Sequence, residues 1–527
     1  MKQLKELKFE ELTTEQKLGM IQTVYIRGDY SDGNKEYIYD LIRNRKLGSI
    51  WVQFSDNGAQ ECLDRIKEIA DYPILIITDA ESGMGDYLVG HHNAIGCTGD
   101  EKYAYAFGKA TAVTAKKMGY NVVCNPILDI KTNGWVRAYG SDKHMIARMA
   151  AAETRGMHDG GVLTVGKHYP SGNNPNEIDS HMAEAYSAQS EEELLDYSLF
   201  AYLELIKEGL LDGLMSAHHR FVNIDPDAPA SLSKKMLDIV REHGFDGFFI
   251  TDALCMMGIR AKYGDTQSQG LSVAAGNDLV NVYDWKAKFN YEAVISCYEK
   301  GIITDERLDE AVKRVLEAQH KALMLEKTSA KELTEEEDHL AKNIDRDAVY
   351  AVVDKEFPAS ISRDGKHFFA LMIRNEEGVG ANGEVAVDTF SNGWLYPSKV
   401  TEKIKELFPN STVYAFHQFP KQVHNMRILS DSIDYDDVIF LTFSEPLAYT
   451  GSEHLTRRVE TLMEAMQYTN RISTLIHFGN PCVLENLPHI PRCIFGGLSE
   501  KSVTASLEVL AGKYEAKGVP TYDFKLN

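Results

Sequence analysis

Phe248-Phe249-Ile250-Thr251-Asp252-Ala253-Leu254 is a short apolar run that ends on a carboxylate. A run this short, without helical spacing, suits a strand buried on both faces, as in a parallel sheet. Working outward, the same design recurs six times: residues 48–54 (GSIWVQF), 74–79 (ILIITD), 121–129 (NVVCNPILD), 164–169 (TVGKHY), 213–219 (GLMSAHH) and 278–284 (DLVNVYD). The segments between them carry helical periodicity, for example residues 193–208 and 234–242. Repeated β-then-α units predict an α/β protein built on a (β/α)8-type TIM barrel of imperfect regularity. A doubly wound open sheet is the alternative that this pattern leaves open.

The barrel pattern closes with a helix over residues 305–325, capped by Thr304 and acidic in its first turn at Asp305 and Glu306. The stretch 327–345 is charged and lacks Pro and Gly, which reads as a helical linker. A second strand–helix series follows at residues 369–374, 412–417, 437–445, 473–479 and 492–497. It predicts a smaller α/β sandwich domain. The expected organisation is a catalytic barrel over 1–326, a linker over 327–345 and a C-terminal domain over 346–527.

Composition narrows the partners. Lys plus Arg number 56 against 78 Asp plus Glu, a net charge of −22. That excess of negative charge argues against nucleic acid or an anionic membrane as partner and fits a neutral or weakly charged substrate. The opening MKQLKELKFEELTTEQ has no apolar core of a secretory leader, and no apolar run is long enough to span a bilayer. The seven cysteines form no C-x-x-C pair, which predicts reduced thiols in a cytoplasmic protein and no zinc site.

Functional side chains of β/α barrels project from the C-terminal ends of the strands. Here those ends carry Asp79, then Asn125 and Asp129, then Lys167 and His168, then His218 and His219, then Asp252. One polar residue after an apolar run is ordinarily a turn or a cap, whereas five such ends together point to a site. Asp79 in IITDAE and Asp252 in FITDAL echo each other, and pattern alone does not say which is a nucleophile and which a ligand for substrate hydroxyls. The Pro-, Gly- and Asn-rich loop after Lys167 ends in Asp179-Ser180-His181. A carboxylate two residues before a histidine can fix its tautomer, so that the opposite ring nitrogen moves a proton near neutral pH. A hydrogen bond at the surface is the plainer reading of D-x-H alone.

These residues are also where the chain resembles glycoside hydrolase family 3, specifically its β-N-acetylglucosaminidase branch. The resemblance rests on K-H-Y-P at 167–170, D-S-H at 179–181, S-A-H at 216–218, P-A-S-L-S at 229–233 and G-F-D-G-F-F-I-T-D at 244–252, in the family's order. It implies that Asp252 is the nucleophile of a retaining glycosidase. It implies that His181 is the general acid/base, oriented by Asp179. Asp79, Arg137, Lys167 and His168 then hold the hydroxyl groups of the sugar that is transferred. The family implies no cofactor and no metal, and a small carbohydrate or glycoconjugate as substrate. Lys167 and Arg137 are expected to place positive charge near Asp252 and keep it ionised.

Two departures stand out. The family's D-x-E-G-G-R is Asp79-Ala80-Glu81-Ser82-Gly83-Met84 here, and P-G-H-G-D-T is Pro170-Ser171-Gly172-Asn173-Asn174-Pro175. They bear on aglycone specificity and sugar preference. The competing readings are a β-glucosidase or β-xylosidase of the same family, a β-N-acetylglucosaminide phosphorylase, a metal-dependent barrel hydrolase and a non-catalytic sugar-binding protein. No oligomeric state is expected from the sequence.

Overall fold

The computed structural model of the protein describes residues 4–30, 32–130, 136–172, 178–330, 332–373, 376–379, 385–388, 397–444 and 454–524. Its contacts divide it into two compact units. One comprises Met1–Leu88, Glu101–Lys131 and Asp142–Ala341; the other comprises Val89–Asp100, Thr132–Ser141 and Lys342–Asn527. Two short segments from the first third of the chain thus pack with the C-terminal part.

The first unit is an eight-stranded parallel barrel. Its strands are β1 (Gln22–Tyr25), β2 (Ser49–Trp51), β3 (Leu75–Thr78), β4 (Val122–Val123), β5 (Leu163–Tyr169), β6 (Gly213–Ser216), β7 (Phe248–Thr251) and β8 (Val280–Asn281). They pair in chain order, and β8 returns to β1. A bridge between Ile250 and Leu279 joins β7 to β8 and closes the ring. The open-sheet alternative is thereby excluded. Seven of these strands are the apolar runs of the sequence; β1 is the eighth. Its Gln22 and Thr23 are buried polar residues. Gln22 Nε2 donates to the carbonyl oxygen of Leu18 at 3.0 Å, and Thr23 Oγ1 meets Ser49 Oγ at 2.6 Å. Those partners let a half-polar tetrapeptide lie fully buried where burial without hydrogen bonds would cost several kcal/mol.

The barrel interior is filled by Tyr25, Trp51, Leu75, Ile77, Val122, Leu163, Val165, Met215, Phe248 and Ile250. The helix Asp305–Thr328 contributes Val315, Ala318 and Ala322 to the same cluster. Its Lys321 pairs with Asp212, just before β6, and its Gln319 donates to the carbonyl of Gly48, just before β2. It therefore seals the N-terminal end of the barrel. Asp278 at that end is fully buried and lies 2.6 Å from Arg307, 3.2 Å from Arg241 and 3.4 Å from Arg314. An ionised carboxylate survives at such a place only when paired, so this strand-adjacent Asp is structural. With one mouth sealed, the C-terminal mouth is left for function.

A second helix, Glu335–Asp347, follows the sealing helix. The second unit is a six-stranded sheet: β9 (Tyr350–Val353), β10 (His367–Ile373), β11 (Thr412–His417), β12 (Asp437–Phe443), β13 (Thr474–Phe478) and β14 (Arg492–Gly496). The order is β9-β14-β13-β12-β10-β11, parallel except for β9 against β14. Helices such as Gln422–Asp431 and Arg457–Gln467 connect the parallel strands, as an α/β domain requires. All seven cysteines are free thiols, and among the described residues no helix is long and apolar enough to cross a membrane.

Candidate active site

Ionisable side chains gather where β3, β4, β5, β6 and β7 end. Lys167, on β5, is 1% exposed. A buried ammonium needs compensation, and Lys167 Nζ has two carboxylates: Asp79 at the end of β3 and, at 2.8 Å, Glu81. The sequence reading expects Lys167 to place positive charge near Asp252; the carboxylates that the ammonium touches are Asp79 and Glu81. Its charge is neutralised from the β3 side, through a glutamate that strand-end reading passed over because it lies two residues beyond the run. Met84, where the family carries Arg, is fully buried in the apolar core of the barrel.

His168 follows Lys167 across a cis peptide bond. Its Nδ1 lies 2.7 Å from Asp129 Oδ2, which also accepts from the His168 N–H at 3.2 Å. Asp129, at the end of the β4 run, so sets the tautomer and tilt of the ring. The turn beyond is held by Ser171, a residue with φ of +64°, whose Oγ accepts from the N–H of Ile130 at 2.9 Å. The changed loop residues Asn173, Asn174 and Pro175 lie outside the described residues.

The Asp–His pair is formed. His181 Nδ1 lies 2.6 Å from Asp179 Oδ1, and the same oxygen accepts the His181 N–H at 3.0 Å. The aspartate is nearly buried, whereas the imidazole is 20% exposed. The segment is docked through its backbone: the N–H of Met257 donates to the carbonyl of His181 at 3.1 Å, and that of Gly258 to Ser180 at 3.1 Å. Residue 258 must be glycine for this approach, since a Cβ would sit 2.6 Å from the carbonyl oxygens of both Ser180 and Ala183. The loop that carries His181 is thereby fixed to the helix Met257–Tyr263, which follows β7 and Asp252.

Asp252 leaves the end of β7 with its N–H donating to the carbonyl of Ser216 on β6 at 2.9 Å. Desolvation by its surroundings pushes its carboxyl pKa up, but the facing imidazoles of His168, His218 and His181 and the N–H of Ala253 outweigh that and hold it below the ordinary aspartate range. It is therefore an ionised carboxylate within electrostatic reach of three histidines. His218 is fully buried, with Nδ1 2.8 Å from Ser231 Oγ and Nε2 3.1 Å from the carbonyl of Ala253. Burial lowers its pKa against the pull of Asp252. Its neighbour His219 is only half-buried. Burial also raises the thiol of Cys124 at the end of β4, and the charges of Lys167, Asp79, Asp252 and Glu81 all reach it. Those four groups therefore share one barrel mouth. Arg137 belongs to the segment Thr132–Ser141, which packs within the second unit. Among the described residues, no three His, Cys, Asp or Glu side chains converge as metal ligands do.

A family model described as the glycosyl hydrolase family 3 N terminal domain matches residues 13–318. The chain belongs to glycosyl hydrolase family 3. It is a glycosidase, and the matched region is the barrel with its mouth of carboxylates and imidazoles. A protein named beta-hexosaminidase from Tolumonas auensis is 28% identical over 258 residues, which cover 46% of this chain and 77% of that one. Among solved structures, a family 3 beta-N-acetylglucosaminidase from Paenibacillus sp. superposes with a TM-score of 0.80 at 23% identity, covering 98% of this chain and 100% of that one. A beta-glucoside phosphorylase superposes equally, with a TM-score of 0.80 at 23% identity over 98% and 94% of the two chains. At that identity the two structures establish the shared fold.

Proposed function

We propose that the protein removes terminal β-linked N-acetylglucosamine with retention of configuration. The observation that carries the reading is the Asp179–His181 pair, closed at 2.6 Å beside an aspartate held in its ionised form. In the first step an Asp252 carboxylate oxygen attacks the anomeric carbon. The bond from that carbon to the leaving oxygen breaks, and His181 Nε2 gives its proton to that oxygen. Asp179, bonded to Nδ1, stabilises the ring while it carries both protons. In the second step the neutral His181 takes a proton from water, the oxygen of that water bonds to the anomeric carbon, and Asp252 is released. Most retaining glycosidases use a second carboxylic acid as donor. An imidazole needs no raised carboxyl pKa, because its own ordinary value lies near neutral.

Asp79, Lys167 and His168 supply acceptors and donors for the hydroxyl groups of the sugar. The relatives named for hexosaminidase activity support the choice of sugar over glucose or xylose, as does the histidine donor. The deciding experiment is release of 4-nitrophenol from a panel of aryl β-glycosides, in phosphate and in a non-phosphate buffer. We expect the N-acetylglucosaminide to be cleaved fastest and at equal rates in both buffers. A faster glucoside or xyloside would overturn the sugar; a phosphate requirement with a sugar phosphate as product would make the enzyme a phosphorylase.

A further inference from the structure

The barrel unit exposes its large apolar side chains on one side. Among the described residues there are six such side chains, and five of them, Leu88, Met182, Met257, Trp285 and Phe289, lie on segments that follow the C-terminal ends of barrel strands. The sixth, Met324, lies on the helix that seals the opposite end. Single exposed apolar residues need no explanation, but a concentration around the mouth of a polar pocket marks a ligand surface.

Two of them adjoin the proton donor, and a third lies on a neighbouring loop. Met182, 61% exposed, directly follows His181, and Met257, 48% exposed, gives its N–H to the carbonyl of His181. Trp285, 66% exposed, lies on the neighbouring loop after β8. That loop is tied to the one after β7 by the N–H of Cys255, which donates to the carbonyl of Val282 at 3.2 Å. Lys286, next to Trp285, lies 3.9 Å from Asp265, and Asp265 also pairs at 2.5 Å with Arg260, one turn beyond Met257. Asp265 thus pairs with both of these cations.

In a retaining glycosidase the nucleophile and the proton donor flank the scissile bond, with the donor at the leaving oxygen. Side chains around the donor therefore face the group that departs, while Asp79, Lys167 and His168 serve the sugar that is transferred. We infer that Met182, Met257 and Trp285 form the subsite for the leaving group. That subsite takes a ring presenting an apolar face next to the scissile oxygen. An aromatic ring and the C–H face of a second pyranose both have this chemistry. The inference rests on His181 as proton donor and on the sugar assignment above.

The test compares kcat/KM of the wild type, Trp285→Ala and Met257→Ala on three β-N-acetylglucosaminides: the methyl glycoside, the phenyl glycoside and the β-1,4-linked disaccharide. Trp285→Ala is expected to lower kcat/KM about tenfold, mainly through KM, on substrates with a ring as leaving group. The methyl glycoside should stay within about twofold, which also shows that the variant is folded. A loss confined to the phenyl glycoside identifies an aryl group, and one confined to the disaccharide identifies a second sugar. Equal losses on all three, or no loss on either ring-bearing substrate, would overturn the subsite. If the wild type cleaves no N-acetylglucosaminide, the sugar assignment fails instead, and the same comparison is made with glycosides of the sugar it does accept.

Discussion

His218 Nε2 lies 3.1 Å from the carbonyl oxygen of Ala253, the residue whose own N–H donates to Asp252 Oδ1 at 2.7 Å. Through Nε2 the ring donates to that carbonyl and pins the peptide that follows the nucleophile, while its Nδ1 meets Ser231 Oγ at 2.8 Å. His218→Ala removes one of that carbonyl's two donors, the N–H of Met256 remaining at 3.0 Å, and takes the ring partner from the buried Ser231 Oγ, a loss worth about 1–3 kcal/mol. We expect kcat/KM to fall about 10- to 100-fold by the same factor on activated and unactivated substrates, because the defect lies in aiming Asp252 and not in proton delivery. Ser231→Ala should give a smaller loss of the same kind. A leaving-group-dependent loss in His218→Ala would contradict the assignment.

His181→Ala should behave differently. A 4-nitrophenolate leaves without a proton, whereas an alkoxide does not. The variant should lose on the order of 10²–10⁴-fold on alkyl or disaccharide substrates, the usual worth of a positioned proton donor, and far less on 4-nitrophenyl glycosides in the first step. Asp179→Asn keeps the volume but cannot stabilise the doubly protonated ring, so it should show the same selectivity with a smaller amplitude. Equal losses on both classes of substrate would remove His181 from the acid role.

The contrast between these two histidines shows what was legible in the sequence. Asp179 and His181 are two residues apart, so their pairing is local and readable. Lys167 with Glu81, His168 with Asp129, and His218 with Ser231 join positions brought together only by strand order. The barrel was readable because strands such as Phe248–Thr251 are continuous apolar runs. Strand β1 was not, because Gln22 and Thr23 depend on partners at Leu18 and Ser49 that no periodicity displays. Nor does composition change at Val89–Asp100 or Thr132–Ser141, so nothing in the chain announced that these segments pack with the second unit.

Lys167 compensates two carboxylates at once, which makes its removal costlier than theirs. Lys167→Met removes the buried ammonium that pairs with both Asp79 and Glu81, and should destabilise the fold by about 3 kcal/mol. Glu81→Gln should cost less, since Asp79 still pairs with the ammonium. In the double variant part of the loss should be recovered, giving a coupling of about 1 kcal/mol or more in a denaturation cycle. Strictly additive losses would mean that Glu81 does not share the charge of Lys167.

Asp252 makes the pH dependence of the reaction testable. Desolvation acts to raise its pKa, but His168 first, then His218, His181 and the N–H of Ala253, hold it low. A carboxylate with a depressed folded-state pKa is fully ionised above the ordinary value of about 3.9 and loses its charge only as pH falls through the folded value. Its contribution to stability has the same sign and disappears in the same direction. On 4-nitrophenyl substrates, kcat/KM should therefore lose nothing to protonation of the nucleophile between neutral pH and about pH 4. Replacing His168 by Ala removes the largest opposing influence and should move the acid limb upward, whatever it does to the height of the profile through substrate binding. An acid limb that stays in place in His168→Ala, or a wild-type limb near pH 5 that persists in His181→Ala, would show that the imidazoles do not control Asp252.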